Sequence, residues 1–240
     1  MKKPWSALSG RCSILRKGNA FLGEFRGFVA TIVRAGMWNS LSQTVLKIAS
    51  PGVPDFYQGS EIWDLSLVDP DNRRPVDYAL RRCLLQKLQT VEAQGVEPLV
   101  QQLMRDPADG AVKLYVTSRA LHFRKSHHSL FSKGSYLPLR AAGDRQNHVV
   151  AFARMLGRRS VIAVAGRLFM GLGAGAEPPM GAQVWGGSVL LLRKECRDRV
   201  YRDVFTHRLV EVDSRNDKRV LPLGGIFSHL PVTLLESPER

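Results

Sequence analysis

The sequence predicts a chain of two parts, an α/β part followed by an all-β part. Apolar residues between positions 20 and 48 recur at three- and four-residue spacing, which is typical of a helical face. Residues 53–57 follow a Ser-Pro-Gly stop and predict a short strand. After Gly134 the apolar segments become short and β-rich. This order is expected at the C-terminal end of a TIM (β/α)8 barrel, its last helices and last strand, with an appended all-β, sandwich-like domain.

The same signals place the remaining elements. The first part should contain, in order, two helices in 20–48 that break near Gly36, the strand at 53–57, a long polar loop at 60–76, a helix from Val76 or Asp77 to near Gly95, and a helix in 113–131. The second part should contain a hairpin around Gly157-Arg158-Arg159 and strands in the segments 148–154, 160–165, 184–192, 200–205, 209–212 and 231–235.

The chain is basic, with 35 Lys and Arg against 21 Asp and Glu and a formal net charge of +14. That balance makes nucleic acid the first partner to consider. The basic residues are scattered singly or in pairs, however, without a stripe interleaved with aromatic residues and without a helix-turn-helix, RNP or finger pattern. We therefore predict no specific nucleic-acid partner.

Other classes are excluded on similar grounds. The three cysteines form no CxxC pair, which favours a reducing, cytoplasmic compartment. Apolar runs are of strand length, well below the ~20 residues that span a bilayer, so no membrane partner is predicted. The histidines, including the adjacent His127 and His128, lack ligand spacing. We predict no metal site and no cofactor.

The segment 50–77, SPGVPDFYQGSEIWDLSLVDPDNRRPVD, carries the most specific signal. Its first half, PGVPDFYQGSE, resembles the last barrel strand of the α-amylase clan, glycoside hydrolase family 13. Its last residues together with Tyr78, DPDNRRPVDY, resemble the following loop of the maltooligosyl trehalose synthases. Further similarity in NAFLGEF, RAGMWNSLSQTVLKIAS and LPVTLLE extends the resemblance over about residues 19–236.

The resemblance implies three regions: an unmatched basic extension at 1–18, the C-terminal part of a catalytic barrel at 19–140, and a C-terminal β domain at 141–240. It also implies a reaction. Members of this family convert the reducing-end α-1,4 linkage of a maltooligosaccharide into an α,α-1,1 linkage. They use an Asp nucleophile, a Glu acid–base and a further Asp that stabilises the transition state.

The motifs that carry these three carboxylates are not found upstream of Ser50, so no catalytic residue is expected in this chain. The chain is expected to be a C-terminal piece of the enzyme and inactive alone, with a separate chain as a candidate carrier of the rest of the barrel. Six acids fall between positions 55 and 77, but acids this close in sequence are expected to form local hydrogen bonds, caps and ion pairs.

The loop is instead predicted to contact the maltooligosaccharide, because paired carboxylates and guanidinium groups bind sugar hydroxyls well at a barrel mouth. The first candidates are Asp69 and Arg73, followed by Asp71, Asn72 and Arg74. Tyr57 and Trp63 could stack on a sugar ring, and burial against neighbouring helices is an equally good interpretation for both. Three hypotheses stay open: part of a trehalose-forming enzyme, a glucan-binding module without turnover, and a remnant without function.

Overall fold

The computed structural model describes residues 20–66, 69–173 and 178–238, so the predicted extension at 1–18 lies outside the described residues. The described helices are α1 Ala20–Ala49, α2 Tyr78–Glu92, α3 Val96–Arg105, α4 Ala111–Ser126, α5 His128–Lys133, α6 Gly181–Trp185 and α7 Leu223–Ile226. The described strands are β1 Ser135–Ala142, β2 Val149–Leu156, β3 Arg159–Gly166, β4 Val189–Leu191, β5 Val200–Asp203, β6 Leu209–Glu211, β7 Asp213–Arg215, β8 Lys218–Pro222 and β9 Val232–Glu236. Within these ranges no helix is long and apolar enough to cross a membrane.

The first helix is continuous, so the predicted break near Gly36 is wrong. A single glycine costs a helix only about 1 kcal/mol relative to alanine, and packing outweighs that cost here. The C-terminal half of α1 buries Trp38, Leu41 and Val45 against α4 and β3. The hydroxyl of Ser42 also donates to the Gly166 carbonyl at 2.7 Å, which ties the helix to the end of β3.

The strand expected at 53–57 is also absent, and this segment is extended without a ladder. A strand needs a neighbouring strand to satisfy its backbone groups, and every strand of the described part belongs to the sheet formed after Gly134. The turn before the segment is held by Arg124 of α4, whose guanidinium donates to the carbonyls of Ile48, Ser50 and Gly52. Val53 itself remains 94% exposed.

The other predicted helices are confirmed. Helix α2 begins after Asp77, whose carboxylate accepts the Leu80 N–H at 2.8 Å and so caps the first turn. The segment predicted at 113–131 is helical, but it is divided at His127 into α4 and α5. The long loop before α2 is likewise confirmed over its described residues, 60–66 and 69–76, which contain one 3₁₀ turn at Asp71–Arg73.

The β part is one antiparallel sheet in the order β6-β5-β9-β3-β2-β1-β4-β8-β7. The predicted hairpin is confirmed as β2–β3, with Leu156 opposite Arg159. Strands β6 and β7 lie at the two ends of this order, yet only Val212 separates them along the chain. The sheet therefore nearly closes on itself, rather than splitting into two stacked sheets as a sandwich would.

Three strands were not predicted: β1, β7 and β8. The predicted boundary between residues 140 and 141 falls inside β1, which pairs with β2 on one side and β4 on the other. One hydrophobic core also runs from the helices into the sheet. Tyr115 of α4 strengthens this junction, because its hydroxyl donates to the Phe205 carbonyl at 2.6 Å.

Candidate functional site

The polar loop predicted at 60–76 folds over the start of α4. The loop comes very close to Gly110, where φ is +78° and an added Cβ would lie 2.8 Å from the Cβ of Ile62 and 2.9 Å from the amide nitrogen of Trp63. The indole N–H of Trp63 donates to the Pro107 carbonyl at 2.6 Å. Only glycine fits between the loop and the helix here, and the hydrogen bond of the Trp63 indole fixes the distance between the two.

A lysine of α4 also contacts this part of the loop. Lys113 is 9% exposed, and its ammonium donates to the Ile62 carbonyl at 3.2 Å. Burial lowers the pKa of Lys113, and the nearby charge of Lys47 lowers it further. Lys47 in turn stacks its ammonium over the Phe56 ring, 3.9 Å from the centroid. These two lysines hold the entrance of the loop through a carbonyl and an aromatic face.

An ion pair closes the loop against α2. The Arg81 guanidinium binds the Glu61 carboxylate at 2.8 Å and donates to the Gly59 carbonyl at 2.6 Å. Both side chains are largely shielded from solvent, with exposed fractions of 14% and 32%. Tyr78 adds a hydrogen bond from its hydroxyl to Gln58 at 3.1 Å. These contacts fix the first residues of the loop against α2.

The tip of the loop presents a forked acid–guanidinium pair to solvent. Arg73 donates Nε to Asp69 Oδ1 at 2.6 Å and Nη2 to Asp69 Oδ2 at 2.5 Å. The exposed fractions are 74% for the Arg73 side chain and 55% for Asp69. The pair spans a turn that contains the cis peptide bond between Asp69 and Pro70. Two parallel hydrogen bonds fix the relative orientation of the two planar groups.

A second pair lies beside the first. Arg74 donates Nε to the Asp71 carbonyl oxygen at 3.1 Å, and its Nη2 lies 3.5 Å from the Asp71 carboxylate. Arg74 also donates to the hydroxyl of Ser66. Asn72 is exposed between the two pairs. The five predicted residues from Asp69 to Arg74 therefore form one polar, solvent-facing tip.

The two predicted stacking residues differ from each other. Tyr57 is 70% exposed, which leaves its ring available. Trp63 is partly buried against the core and uses its indole N–H inside the protein, which fits the alternative interpretation of packing. The structure thus keeps Tyr57 open to a ligand and gives Trp63 a role in anchoring the loop.

Five of the six acids between positions 55 and 77 form local interactions. Asp64 accepts the Ser66 N–H at 2.9 Å, and hydrogen bonding from Ser66 lowers the pKa of the Asp64 carboxyl. Glu61, Asp69, Asp71 and Asp77 are engaged as described above. A glycosidase general acid needs a raised pKa, and the pKa of Asp64 is shifted in the opposite direction. Across residues 20–66, 69–173 and 178–238, no group of three His, Cys, Asp or Glu side chains is placed to hold a metal ion.

Sequence reasoning missed Arg81, Lys47 and Lys113 as residues that shape the loop. Each lies on a helix at a position that looks like an ordinary exposed basic residue. Only Arg81 had a usable signal, because it follows the Asp77 cap by one helical turn and so points back toward the loop.

The architecture first indicates a class of fold. The described helices and antiparallel sheet are similar to an Anoxybacillus α-amylase, with a TM-score of 0.50, 16% identity, and coverage of 84% of this chain and 32% of that one. This likeness shows only that the chain shares its fold with part of that enzyme. No protein-family model matches the chain.

More specific similarity is to the maltooligosyl trehalose synthases. A Mycobacterium tuberculosis protein of that name is 43% identical over 131 residues, 55% of this chain. The structure of the Arthrobacter ramosus maltooligosyltrehalose synthase superposes with a TM-score of 0.69 and 32% identity over 92% of this chain. The chain spans 14% of the former and 25% of the latter. It is therefore a relative of part of these synthases, and the coverage is consistent with their C-terminal part.

Proposed function

We propose that this chain serves as the C-terminal part of an enzyme that converts the reducing-end α-1,4 linkage of maltooligosaccharides into an α,α-1,1 linkage. The observation that carries the proposal is the similarity to maltooligosyltrehalose synthase over 92% of the chain. The polar loop tip described above supports it, because that tip lies in segment 50–77, on whose motifs the resemblance to the family was based.

In this proposal the tip binds the reducing-end glucose. The Asp69 carboxylate and the Arg73 guanidinium are fixed against each other, so they present acceptors and donors in one plane to neighbouring ring hydroxyls. A freed glucose must stay at the site while it turns to attack through its anomeric hydroxyl. Side chains whose orientation is set in advance keep the sugar in place at low entropic cost.

The bond-breaking carboxylates are not assigned to this chain. Five acids of the 55–77 segment already serve pairs and caps, and retaining chemistry requires two carboxyl groups about 5–5.5 Å apart on opposite sides of a sugar. In a TIM barrel such groups come from the ends of several strands. We propose that the remaining barrel strands, on the same or a separate chain, supply them.

Exposed apolar surface on the helical part supports docking of those strands. Phe21, Phe25, Phe28 and Ile32 are 51–64% exposed and lie along one face of α1. Phe21 and Phe25 stack with centroids 5.9 Å apart. Val53, at 94% exposure, begins the extended segment expected to be the last barrel strand. In this proposal, segment 53–57 acquires its ladder when the neighbouring strands are present.

A chimera tests the proposal. The part of the Arthrobacter ramosus enzyme that matches this chain is replaced by residues 20–238, and loss of reducing ends from maltohexaose is measured. We expect an active chimera, and no turnover by the 240-residue chain alone. A folded chimera that leaves the reducing ends intact contradicts the proposal.

The second candidate is glucan binding without turnover, which the local pairing of the acids favours for the chain alone. Retardation of the 240-residue chain on a starch gel, without loss of reducing ends, would support it. Material that binds ANS heterogeneously and is rapidly proteolysed would instead indicate a remnant.

A further inference from the structure

One side chain of α2 joins the two ends of the polar loop. The Arg81 guanidinium donates Nε to the Glu61 carboxylate at 2.8 Å and Nη2 to the Gly59 carbonyl at 2.6 Å, where the loop begins. Its Nη1 donates to the Asp77 carbonyl at 3.0 Å, where the loop ends. Each nitrogen of the guanidinium thus has its own acceptor. We call this arrangement of Gly59, Glu61, Asp77 and Arg81 the loop base.

The loop base is closely packed. The Arg81 side chain is 14% exposed, and Gly59 is buried. A Cβ added to Gly59 would lie 3.2 Å from Cγ2 of Val76, so the start of the loop also lies against its last residue. A lysine could not replace Arg81, because an ammonium presents its donors from one point and not from three positions of a planar fork.

The path from the loop base to the tip is short. Arg74 is the last tip residue and precedes Asp77 by three positions, so at most about 10 Å of extended chain separates the two. On the other side of the loop, the Ser66 hydroxyl accepts a hydrogen bond from the same Arg74. A displacement of the loop base should therefore displace the tip.

We propose that Arg81 is a positioning residue for the reducing-end glucose, and that it acts through the loop base on the Asp69–Arg73 pair. Its guanidinium is shielded from solvent and its three nitrogens are engaged within the protein, so the sugar is bound by the tip and not by Arg81 itself. This inference rests on the proposed function, in which the tip retains the freed glucose.

Retention of that glucose decides which product forms. In retaining chemistry the nucleophilic carboxylate holds the rest of the maltooligosaccharide after the terminal glucose has left. When the anomeric hydroxyl of the glucose attacks, its proton passes to the general base, the bond to the enzyme breaks, and the product has no reducing end. When water attacks the same carbon and gives its proton to the base, the products are glucose and a shorter maltooligosaccharide, each with a reducing end.

The ratio of released glucose to α,α-1,1-linked product, measured in the chimera with maltohexaose, tests the proposal. Arg81→Met should raise this ratio at least about tenfold, because a small displacement of a positioning group has a large effect on the reaction it directs. Arg81→Lys and Glu61→Gln each keep part of the loop base and should raise the ratio less. Arg82→Met changes the exposed neighbour on α2, is the matched control and should leave the ratio unchanged.

A ratio is the informative readout because partial unfolding lowers the amounts of both products together. An active parent chimera whose ratio stays constant in Arg81→Met would overturn this inference and leave the proposed function standing. An equal rise in Arg82→Met would overturn it as well. If Arg81→Met does not fold, an unchanged ratio in both Arg81→Lys and Glu61→Gln has the same meaning. A folded parent chimera without turnover would instead overturn the proposed function, and this inference with it.

Discussion

Arg154 of β2 donates to the carbonyl oxygen of Phe131 at 2.8 Å, which joins the sheet to the end of α5. The same guanidinium, only 2% exposed as a residue, also donates to the carbonyls of Ala49, Gly134 and Ser135. Its donors thus satisfy backbone acceptors from α1, α5 and β1 at one point. Burial lowers the pKa of Arg154, and the charge of Arg124 lowers it further.

Replacement of this arginine should be costly. Arg154→Met keeps much of the volume but leaves several buried carbonyls without donors, and we expect a loss of about 3–5 kcal/mol in the free energy of unfolding. Urea denaturation measures it. Arg82→Met, on the exposed side of α2, is the control and should change stability by less than about 0.5 kcal/mol. A loss for Arg154→Met as small as the control's would contradict the assigned role.

Asp203 should make stability depend on pH. It is buried, and burial raises the pKa of its carboxyl to about 6, although the N–H groups of Phe205 and Thr206 oppose the shift. Between about pH 4 and pH 6 the folded state keeps a proton that the unfolded state releases, so the contribution of Asp203 to stability falls as pH rises. The total change is about 3 kcal/mol.

The variant Asp203→Asn isolates this effect, since an amide oxygen can still accept both N–H groups. Its stability relative to the unmodified protein should improve by about 3 kcal/mol between about pH 4 and about pH 7. Chemical denaturation at the two pH values provides the measurement. A difference that stays constant with pH would show that Asp203 titrates normally.

Gly110 should tolerate no side chain. Gly110→Ala places a methyl group within 2.9 Å of Ile62 and Trp63 at a φ of +78°, and we expect a destabilisation of about 2 kcal/mol. Limited proteolysis should then cleave the 60–76 loop faster. Gly27→Ala is the matched control, because nothing lies within 4 Å of its added Cβ and alanine favours the exposed helix. Equal stability of the two variants would refute the close approach at Gly110.

The Asp69–Arg73 pair should matter for sugar binding and little for stability. Exposed ion pairs contribute about 0–1 kcal/mol, so Asp69→Asn should unfold at nearly the same urea concentration. In the active chimera, the same substitution should lower kcat/KM for maltohexaose at least tenfold. Arg215→Lys, in the exposed Asp213–Arg215 pair of the β part, is the control and should leave kcat/KM unchanged. Equal activity of Asp69→Asn and the control would remove the loop tip from the substrate site.

Sequence signals that act within a few residues predicted the structure correctly. Signals that depend on a contact with a distant part of the fold did not. Asp77 predicted the start of α2 because a capping side chain binds backbone N–H groups within the first helical turn. Gly157 predicted the β2–β3 hairpin because a tight turn depends on only a few neighbouring residues. Segment 53–57 has the composition of a strand, but a ladder requires a neighbour that the described residues do not supply. The break predicted at Gly36 failed because packing of the following turns holds the helix together.

There are physical reasons why two of the strands were not predicted from the sequence. Strand β1 contains Pro138 and alternates poorly, and β7 is exposed at every position, so neither carries an apolar pattern. In the site, the tip residues were predicted from a contiguous motif. Lys113 and Arg81 were missed because their roles depend on which loop folds over them, and that is fixed only in the tertiary structure.

The near-closure of the sheet also limits the ways in which this chain can associate with other chains. The two strands with unpaired edges, β6 and β7, are three residues long each and come next to one another along the chain. Short edges of this kind offer little template for another chain to add a strand and extend the ladder into a fibre. Association through the edges of this sheet is therefore disfavoured, whereas the aromatic face of α1 is an exposed apolar surface, and polar substitutions at Phe25 and Phe28 should weaken association through that face.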